Sequence, residues 1–222
     1  MSNAKKGRPA QKPKRTQKWV ALTVALLVII IGSVTVVHFW KTGGINSANT
    51  QPNLPDSSAY TDFINQYLAI MQNLNSSQDK TLMAAQLNPS YNQTDLFAWE
   101  HSKLIFNEST AGFYYDPFQI LADGKGICMQ WSIVYVSACL ALGYQSRLVV
   151  AVNTSTWTFI HTWAEDYVNG SWVHVDPSDS VWNDPSRYQS WGWGTFGTDV
   201  KVYAFEDGSY QDVTATYAPH SS

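Results

Sequence analysis

Three residues that can act together in acyl transfer occur at separate points of the sequence: Cys128, His161 and Asp176. A cysteine thiolate attacks a carbonyl carbon, an imidazole accepts the thiol proton and later returns it, and a carboxylate holds the imidazole in one tautomer. The chain therefore contains a candidate nucleophile, base and orienting group. Whether they can act together depends on the elements that carry them.

Cys128 stands at the junction between a glycine-containing turn, Gly124-Lys125-Gly126, and an apolar stretch. That stretch predicts a helix over 127–142 with Gly143 as its C-terminal cap. A thiol in the first turn of a helix feels the positive end of the helix dipole, which favours the thiolate, and the free backbone N–H groups nearby can hold an oxyanion. The alternative is a buried structural cysteine.

The second cysteine, Cys139, falls on the same predicted helix as Cys128. Eleven residues of helix separate the two by about 16 Å along the axis, which is too far for a disulfide. Cys139 has apolar neighbours in the sequence and is expected to be a small buried hydrophobic residue.

His161 and Asp176 belong to two segments rich in β-branched and aromatic residues, 156–168 and 171–176. The pair Asn169-Gly170 between these segments is a strong signal for a tight hairpin turn. The two strands are therefore expected to be antiparallel neighbours, with the imidazole and the carboxylate close across the ladder.

His174 is a rival candidate for the base, because it lies two residues before Asp176 and points to the same face of that strand. The alternative role for His174 is that of a half-exposed strand residue. We favour His161, since a base and the carboxylate that orients it normally come from different strands.

The elements around these residues predict an α+β fold in which a helical half carrying Cys128 packs on an antiparallel β-sheet. Apolar residues spaced i, i+3, i+4 and i+7 predict a first helix over 60–74. Further helices are expected over 78–87 and 94–107, and the segment 114–126 is expected to be a short helix that ends in a glycine-containing turn. A second hairpin is expected from strands 200–205 and 210–217.

Four motifs, in this order along the chain, resemble those of the transglutaminase-like superfamily. They are Gly126-Ile127-Cys128, the segment Ala141 to Arg147, His161-Thr162-Trp163 with Glu165, and the segment Trp172 to Pro177. Together they cover residues 114–178, about a third of the chain. The resemblance implies a papain-like arrangement and acyl transfer through a thioester, with Cys128 as nucleophile, His161 as base and then acid, and Asp176 as the orienting carboxylate.

The sequence departs from the family pattern at Gln130, where many members have an acidic residue, and this affects the expected substrate contacts more than the triad. In many relatives a Trp or Gln side chain completes the oxyanion hole, and Trp99 and Gln119 are the candidates here. Trp163 is a further candidate for substrate contact, although it and Arg147 are also expected to order the sheet. No metal and no cofactor is assigned.

The first forty residues have a different character, because they contain seven of the fourteen basic residues and none of the acidic ones. The segment 19–40, from Trp19 to Trp40, has no charged side chain and would span roughly 30 Å as a helix. It predicts a single-pass membrane protein with a cytoplasmic basic segment (1–18), a membrane-spanning helix (19–40), a flexible linker (41–58) and an extracytoplasmic domain (59–222). A cleaved signal peptide and a buried core helix are the alternatives.

After position 40 the chain has seven basic and seventeen acidic residues, a net charge of −10, which disfavours nucleic acid as a partner. Sequons for N-glycosylation agree with an outside location. They begin at Asn75, Asn92, Asn107, Asn153 and Asn169. The aromatic segment 181–198 is expected either to form a wall for a peptide or carbohydrate chain or to pack on the domain.

These features predict an extracytoplasmic thiol enzyme that acts on amide bonds of peptides or envelope material, with hydrolysis favoured over transamidation. One alternative is a non-catalytic binding or scaffolding module that keeps the fold. Another is a component of an envelope complex that depends on a partner. The oligomeric state stays open.

Overall fold

A six-stranded antiparallel sheet with helices on one face forms the main body of the computed structural model, which describes residues 58–108, 114–188 and 199–218. The α+β prediction with an antiparallel sheet is thereby confirmed. The helices are α1 (Ser58–Leu74), α2 (Ser77–Ala84), α3 (Gln93–His101), α4 (Pro117–Asp123), α5 (Cys128–Ala141) and α6 (Thr214–Tyr217). The strands are β1 (Ile105–Phe106), β2 (Lys125–Gly126), β3 (Ser146–Asn153), β4 (Thr158–Val168), β5 (Ser171–Asp176), β6 (Val181–Trp182), β7 (Val200–Glu206) and β8 (Ser209–Asp212).

The strands of the large sheet lie in the order β6-β5-β4-β3-β7-β8, and β1 and β2 form a separate parallel pair. Asn169 and Gly170 have φ angles of 51° and 88°, the left-handed values that a type I′ turn requires, and they join β4 to β5 as predicted. The hairpin fixes the register of the strand that carries His161 against the strand that carries Asp176.

Helix α5 is the central element on the helical side of the sheet. All of its residues from Cys128 to Cys139 are buried, which agrees with a sequence that is apolar nearly all round. The helix packs against β3 and β4 on one side and against α2, α3 and α4 on others. Because it is enclosed in this way, the position of its first residue, Cys128, is set by the core.

The opposite face of the sheet carries a second, smaller core. We refer to it as the far-side cluster, and its buried members are Val149, Ala151, Trp163, Tyr188, Val200, Val202, Ala204 and Tyr217. Two of these, Tyr188 and Tyr217, come from outside the sheet and cover its aromatic surface. The sheet therefore has apolar packing on both faces around β3.

Two predicted elements differ from those observed. The helix expected over 94–107 ends at His101, because Ile105 and Phe106 pair with β2 instead. The strand expected over 210–217 ends at Asp212, whose carboxylate accepts a hydrogen bond from the backbone N–H of Thr214 and starts the short helix α6. The hydrogen bond between Thr214 and the Asp212 side chain thus ends the strand earlier than the residue types predict.

The predicted localisation needs correction. Among residues 58–108, 114–188 and 199–218, no helix is both long and apolar enough to cross a bilayer. The most apolar helix, α5, has 14 residues and is about 21 Å long, shorter than the roughly 30 Å hydrocarbon core. The prediction of a single-pass membrane protein is therefore wrong for the part of the chain that the structure describes. The segment 19–40 on which it was based lies outside the described residues, as do 1–18 and most of the predicted linker 41–58.

Candidate active site

Cys128 is the first residue of helix α5, and its side chain is 6% exposed. The residue before it, Ile127, donates its backbone N–H to Oε1 of Gln130 at 3.1 Å. This bond closes the first turn of the helix from within. The first N–H groups of a helix have no partner inside it, so those of Cys128 and Met129 remain for an oxyanion next to the sulfur.

Gln130 therefore caps the helix that carries Cys128, and its side-chain amide nitrogen lies 3.4 Å from the carbonyl oxygen of Tyr114. The cap also explains the glycine two residues before the cysteine. A Cβ atom added at Gly126 would lie 2.5 Å from Cβ of Gln130, which is closer than such atoms can approach. The glycine allows the chain to enter the helix beside the capping side chain.

His161 owes its direction to a β-bulge in β4. Ala151 pairs with His161 and the next residue of β3, Val152, pairs with Phe159, so that Ile160 has no opposite residue. Ile160 packs on the far-side cluster while Phe159 packs on the helical side, so the alternation of the strand reverses at this point. A bulge of this kind re-aims the neighbouring side chain, which here is the imidazole of His161.

The serine one turn into α5 fixes the cysteine relative to the histidine. The hydroxyl of Ser132 lies 2.8 Å from the carbonyl oxygen of Cys128 and 3.0 Å from that of Thr162. Ser132 is fully buried. Its hydroxyl therefore ties the start of the helix to the strand residue that follows His161.

His161 links the other two predicted residues. Its Nε2 lies 2.6 Å from Oδ2 of Asp176, and its ring lines the same cleft as the side chain of Cys128. Burial alone would lower the pKa of His161, but the interactions with Asp176 and Cys128 outweigh burial and raise the pKa to about 10. The imidazole is therefore protonated at neutral pH on the cleft that also holds the sulfur.

Asp176 is completely buried and accepts four hydrogen bonds. One comes from His161, and the others come from the hydroxyl of Tyr188, the hydroxyl of Ser178 at 2.8 Å and the backbone N–H of Asp179 at 3.1 Å. Burial would raise the pKa of this carboxyl, but its bond with His161 and the other donors lower the pKa to about 2. Asp176 is thus a charged carboxylate that cannot turn away from the imidazole.

Tyr188 is a site residue that sequence reasoning missed. Its hydroxyl donates to Oδ2 of Asp176, and its ring stacks on Trp163 with centroids 4.6 Å apart and planes 16° apart. Its ring centroid also lies 5.2 Å from that of His161. The only sequence signal was the aromatic segment 181–198, which gave no indication that this tyrosine reaches the carboxylate.

Trp163 and Arg147 support the imidazole from the far side of the sheet. Trp163 stacks on His161 at 5.8 Å and donates its indole N–H to the hydroxyl of Tyr217 at 2.9 Å. Tyr217 in turn donates to Glu165 at 2.6 Å, and Glu165 forms a buried salt bridge with Arg147, also at 2.6 Å. The fully buried Trp163 therefore has a structural position and does not line the cleft.

His174, the rival base, is buried among the rings of Trp163, Tyr188 and Tyr217. Within the described part of the chain, neither of its ring nitrogens has a hydrogen-bond partner. Burial lowers its pKa to about 4 despite the nearby charge of Asp176, so the ring is neutral. Its surroundings do not connect it to Cys128.

The two candidates for the oxyanion side chain lie elsewhere. Trp99 is buried in the core on the helical side, and Gln119 is exposed on α4. Neither lines the cleft at Cys128. The backbone N–H groups at the start of α5 stay the predicted oxyanion donors.

A cleft of about 390 Å³ opens at the sulfur. Its lining residues are Phe106, Cys128, His161, Ser178, Asp179, Arg187 and Tyr188. Arg187 and Asp179 form an exposed salt bridge of 3.2 Å there. Within the described ranges, no three His, Cys, Asp or Glu side chains come together as a metal site would require.

Comparison with known proteins agrees with this geometry. The family model of the transglutaminase-like superfamily matches residues 77–177, a range that begins with α2 and ends just after Asp176. Residues 77–177 therefore form a transglutaminase-like core. The matched core contains Cys128, His161 and Asp176, and the resemblance noted in the sequence is thereby confirmed.

Similar curated proteins include two peptide-N(4)-(N-acetyl-beta-glucosaminyl)asparagine amidases. The rice protein is 32% identical over 103 residues, which are 46% of this chain and 21% of that protein. The Drosophila melanogaster protein is 35% identical over 106 residues, which are 47% of this chain and 15% of that protein. These relatives agree with the prediction of a cysteine hydrolase or amidase, and the chain spans only a small part of their length.

Among solved structures, Rad4–Rad23 crosslinked to an undamaged DNA resembles this chain with a TM-score of 0.52. The likeness covers 72% of this chain and 47% of that one, at 10% sequence identity. At such an identity the likeness concerns the fold alone.

Proposed function

We propose that this chain is a thiol amidase that hydrolyses an amide bond of a polypeptide substrate through a thioester on Cys128. The observation that carries the proposal is that Cys128 and His161 line one cleft while His161 is hydrogen-bonded to the buried carboxylate of Asp176. The charged carboxylate stabilises the imidazolium that forms when the thiol gives up its proton. The family and the names of the amidase relatives support the same reaction class.

The reaction begins when the sulfur of Cys128 attacks the carbonyl carbon of the bound amide. The negative charge that develops on the carbonyl oxygen is stabilised by the N–H groups and the dipole at the start of α5. His161 then donates its proton to the leaving nitrogen, and the carbon–nitrogen bond breaks to leave a thioester.

Water completes the reaction. His161, now neutral, removes a proton from a water molecule that attacks the thioester carbon, and the sulfur leaves as a thiolate. The proton on His161 restores the starting ion pair. Because Asp176 stays charged and in place throughout, one imidazole nitrogen always faces the sulfur side of the site.

Incubation of the chain with a randomised peptide mixture and with a denatured N-glycosylated protein tests this proposal. We expect acid-quenched samples to show an acyl mass on Cys128 and amide products in solution by mass spectrometry. Cys128→Ser should abolish both signals. Cys139→Ser is the matched control, since Cys139 is completely buried and far along the helix, and it should keep both.

Product formation that survives Cys128→Ser would overturn the proposal, and so would the absence of any acyl mass from the wild type. The same samples distinguish hydrolysis from transamidation. With methylamine added, a transamidase would yield N-methyl amide products, whereas the proposed hydrolase yields mainly free carboxylates.

A further inference from the structure

The short strand β1 is placed directly beside the start of α5 and has one edge already paired. It runs parallel to β2, with Ile105 opposite Lys125 and Phe106 opposite Gly126. The backbone N–H of Ile105 donates to the carbonyl of Gly124 at 3.0 Å, and that of Asn107 donates to the carbonyl of Gly126, also at 3.0 Å. Residues on both sides of Phe106 therefore face β2.

Successive residues of a β-strand direct their backbone N–H and C=O groups to opposite edges. Because Ile105 and Asn107 face β2, the N–H and C=O of Phe106 face the other edge. Within the described ranges no strand pairs with β1 on that edge, since the small sheet has only two strands. Phe106 thus presents one donor and one acceptor of a form that an extended chain can match.

This open edge is continuous with the cleft at the nucleophile. Phe106 lines the same 390 Å³ cleft as Cys128 and His161, and β2 ends at Gly126, two residues before Cys128. The side chains of the strand are unusually exposed for their type, at 72% for Ile105 and 46% for Phe106. An apolar, unpaired strand edge beside a reactive sulfur is a feature that a folded protein rarely leaves without an occupant.

We propose that β1 binds the main chain of the substrate, which adds to the open edge at Phe106 as an extended strand and is thereby laid across Cys128. The proposal rests on the proposed amidase function and specifies its substrate class as an extended, locally unfolded polypeptide. The N–H of Phe106 donates to a substrate carbonyl, and the carbonyl of Phe106 accepts a substrate N–H. Recognition of this kind depends on the main chain and tolerates many side-chain sequences.

Two reagents of different length test the proposal by their rates of reaction with Cys128. Acetyl-tetraalanyl chloromethyl ketone carries a peptide main chain that can pair with Phe106, whereas iodoacetamide does not. In Phe106→Pro the backbone N–H is lost at a position where an edge strand tolerates proline. Phe106→Ala is the matched control, because it removes the ring but keeps the N–H.

We expect Phe106→Pro to slow the peptidyl reagent about tenfold, the effect of one lost hydrogen bond, while its rate with iodoacetamide stays unchanged. Phe106→Ala should slow the peptidyl reagent less than Phe106→Pro does. On the wild type, N-methylation of one internal amide of the peptidyl reagent should slow labelling to a similar extent, because the methyl group removes the hydrogen that the carbonyl of Phe106 accepts.

Equal rates of the peptidyl reagent with the wild type and Phe106→Pro would overturn the proposal. If circular dichroism shows that Phe106→Pro does not fold, the N-methylated reagents on the wild type decide, and full rates for every one of them overturn it. A Cys128 that resists both reagents contradicts the amidase function as well. Rapid iodoacetamide labelling without any sensitivity to N-methylation contradicts only the binding of the main chain at β1.

Discussion

The surroundings of His161 and of His174 differ although the two residues lie on adjacent strands of one sheet. His161 has a hydrogen bond to Asp176 and lines the cleft with Cys128, and its interactions with these two residues raise its pKa to about 10. His174 is enclosed by aromatic rings without a hydrogen-bond partner in the described part of the chain, and its pKa is lowered to about 4. Partners, and not depth, decide whether a buried group is charged.

Two carboxyl groups repeat this contrast. Asp176 accepts four hydrogen bonds and its pKa is lowered to about 2. Glu100 is completely buried on α3, and within the described ranges neither of its oxygens has a hydrogen-bond partner. Burial and the nearby charge of Asp176 raise its pKa well above the usual range. Of these two buried carboxyl groups, the one that has hydrogen-bond partners is therefore the one that is charged.

Replacing each histidine in turn should give the largest effect. We expect His161→Ala to lower the turnover of an amide substrate by about 10²–10⁴-fold, since it removes the general acid and base. His174→Phe keeps an aromatic ring in an apolar cage and should retain wild-type turnover. Steady-state kinetics of both variants measure these effects. If His174→Phe lost as much activity as His161→Ala, the assignment of His161 as the general acid and base would be contradicted.

A buried charge that loses its partner should cost the most stability. Arg147→Met leaves the carboxylate of Glu165 buried without its cation, and we expect the free energy of unfolding to fall by about 3–5 kcal/mol. The control is Arg187→Met, which breaks an exposed salt bridge with Asp179. This variant should change the free energy of unfolding by at most about 1 kcal/mol. Urea denaturation measures both, and equal losses would show that burial of the pair has no importance.

Tyr188→Phe removes one donor from Asp176 while it preserves the stacking on Trp163. A hydrogen bond to a charged group contributes about 1.5–3 kcal/mol to stability, so we expect the free energy of unfolding to fall by that amount at pH 7. The lowered pKa of Asp176 stabilises the folded chain at any pH above the ordinary pKa of an aspartate, and this contribution disappears as the pH falls toward 2. The free energies of unfolding of the variant and the wild type should therefore differ less at pH 3 than at pH 7. A loss that is equal at both values would attribute the effect to packing.

Glu100→Gln is expected to have little effect on stability at pH 5 and an effect that grows as the pH rises. Above the ordinary glutamate pKa of about 4.3 and below its raised pKa in the folded chain, the folded state holds a proton that the unfolded state has released. The free energy of unfolding of the wild type should therefore fall as the pH rises, by up to about 1.4 kcal/mol per pH unit. Urea denaturation should show that the free energy of unfolding of the variant, relative to that of the wild type, increases from pH 5 to pH 8. If the two free energies change with pH in parallel, Glu100 is ionised and has a partner, and the prediction is wrong.

The parts of the site that local patterns encode were predictable from the sequence. An apolar run after a glycine turn placed Cys128 at a helix start, and Asn169-Gly170 fixed the hairpin that brings His161 to Asp176. These features depend on residues close together in the chain, so their spacing is sufficient to predict them.

The remaining parts depend on pairings between distant segments. The bulge at Ile160 arises only when β4 pairs with β3, and Tyr188 reaches Asp176 only because its segment folds back over Trp163. Trp99 and Gln119 lie away from the cleft for the same reason, since a side-chain type says nothing about which surface its helix presents. Of the aromatic segment 181–198, Tyr188 packs on the domain, and residues 189–198 lie outside the described residues.

The most direct test of the account is the rate of alkylation of Cys128 by iodoacetamide as a function of pH, measured by mass spectrometry on the full chain. An ordinary thiol loses reactivity below about pH 8.5, whereas an imidazolium partner keeps the sulfur reactive at lower pH. We predict that the wild type and His174→Phe alkylate rapidly at about pH 6 and that His161→Ala does not. Slow alkylation of the wild type at that pH, or equal rates in all three proteins, would contradict the claim that His161 activates Cys128.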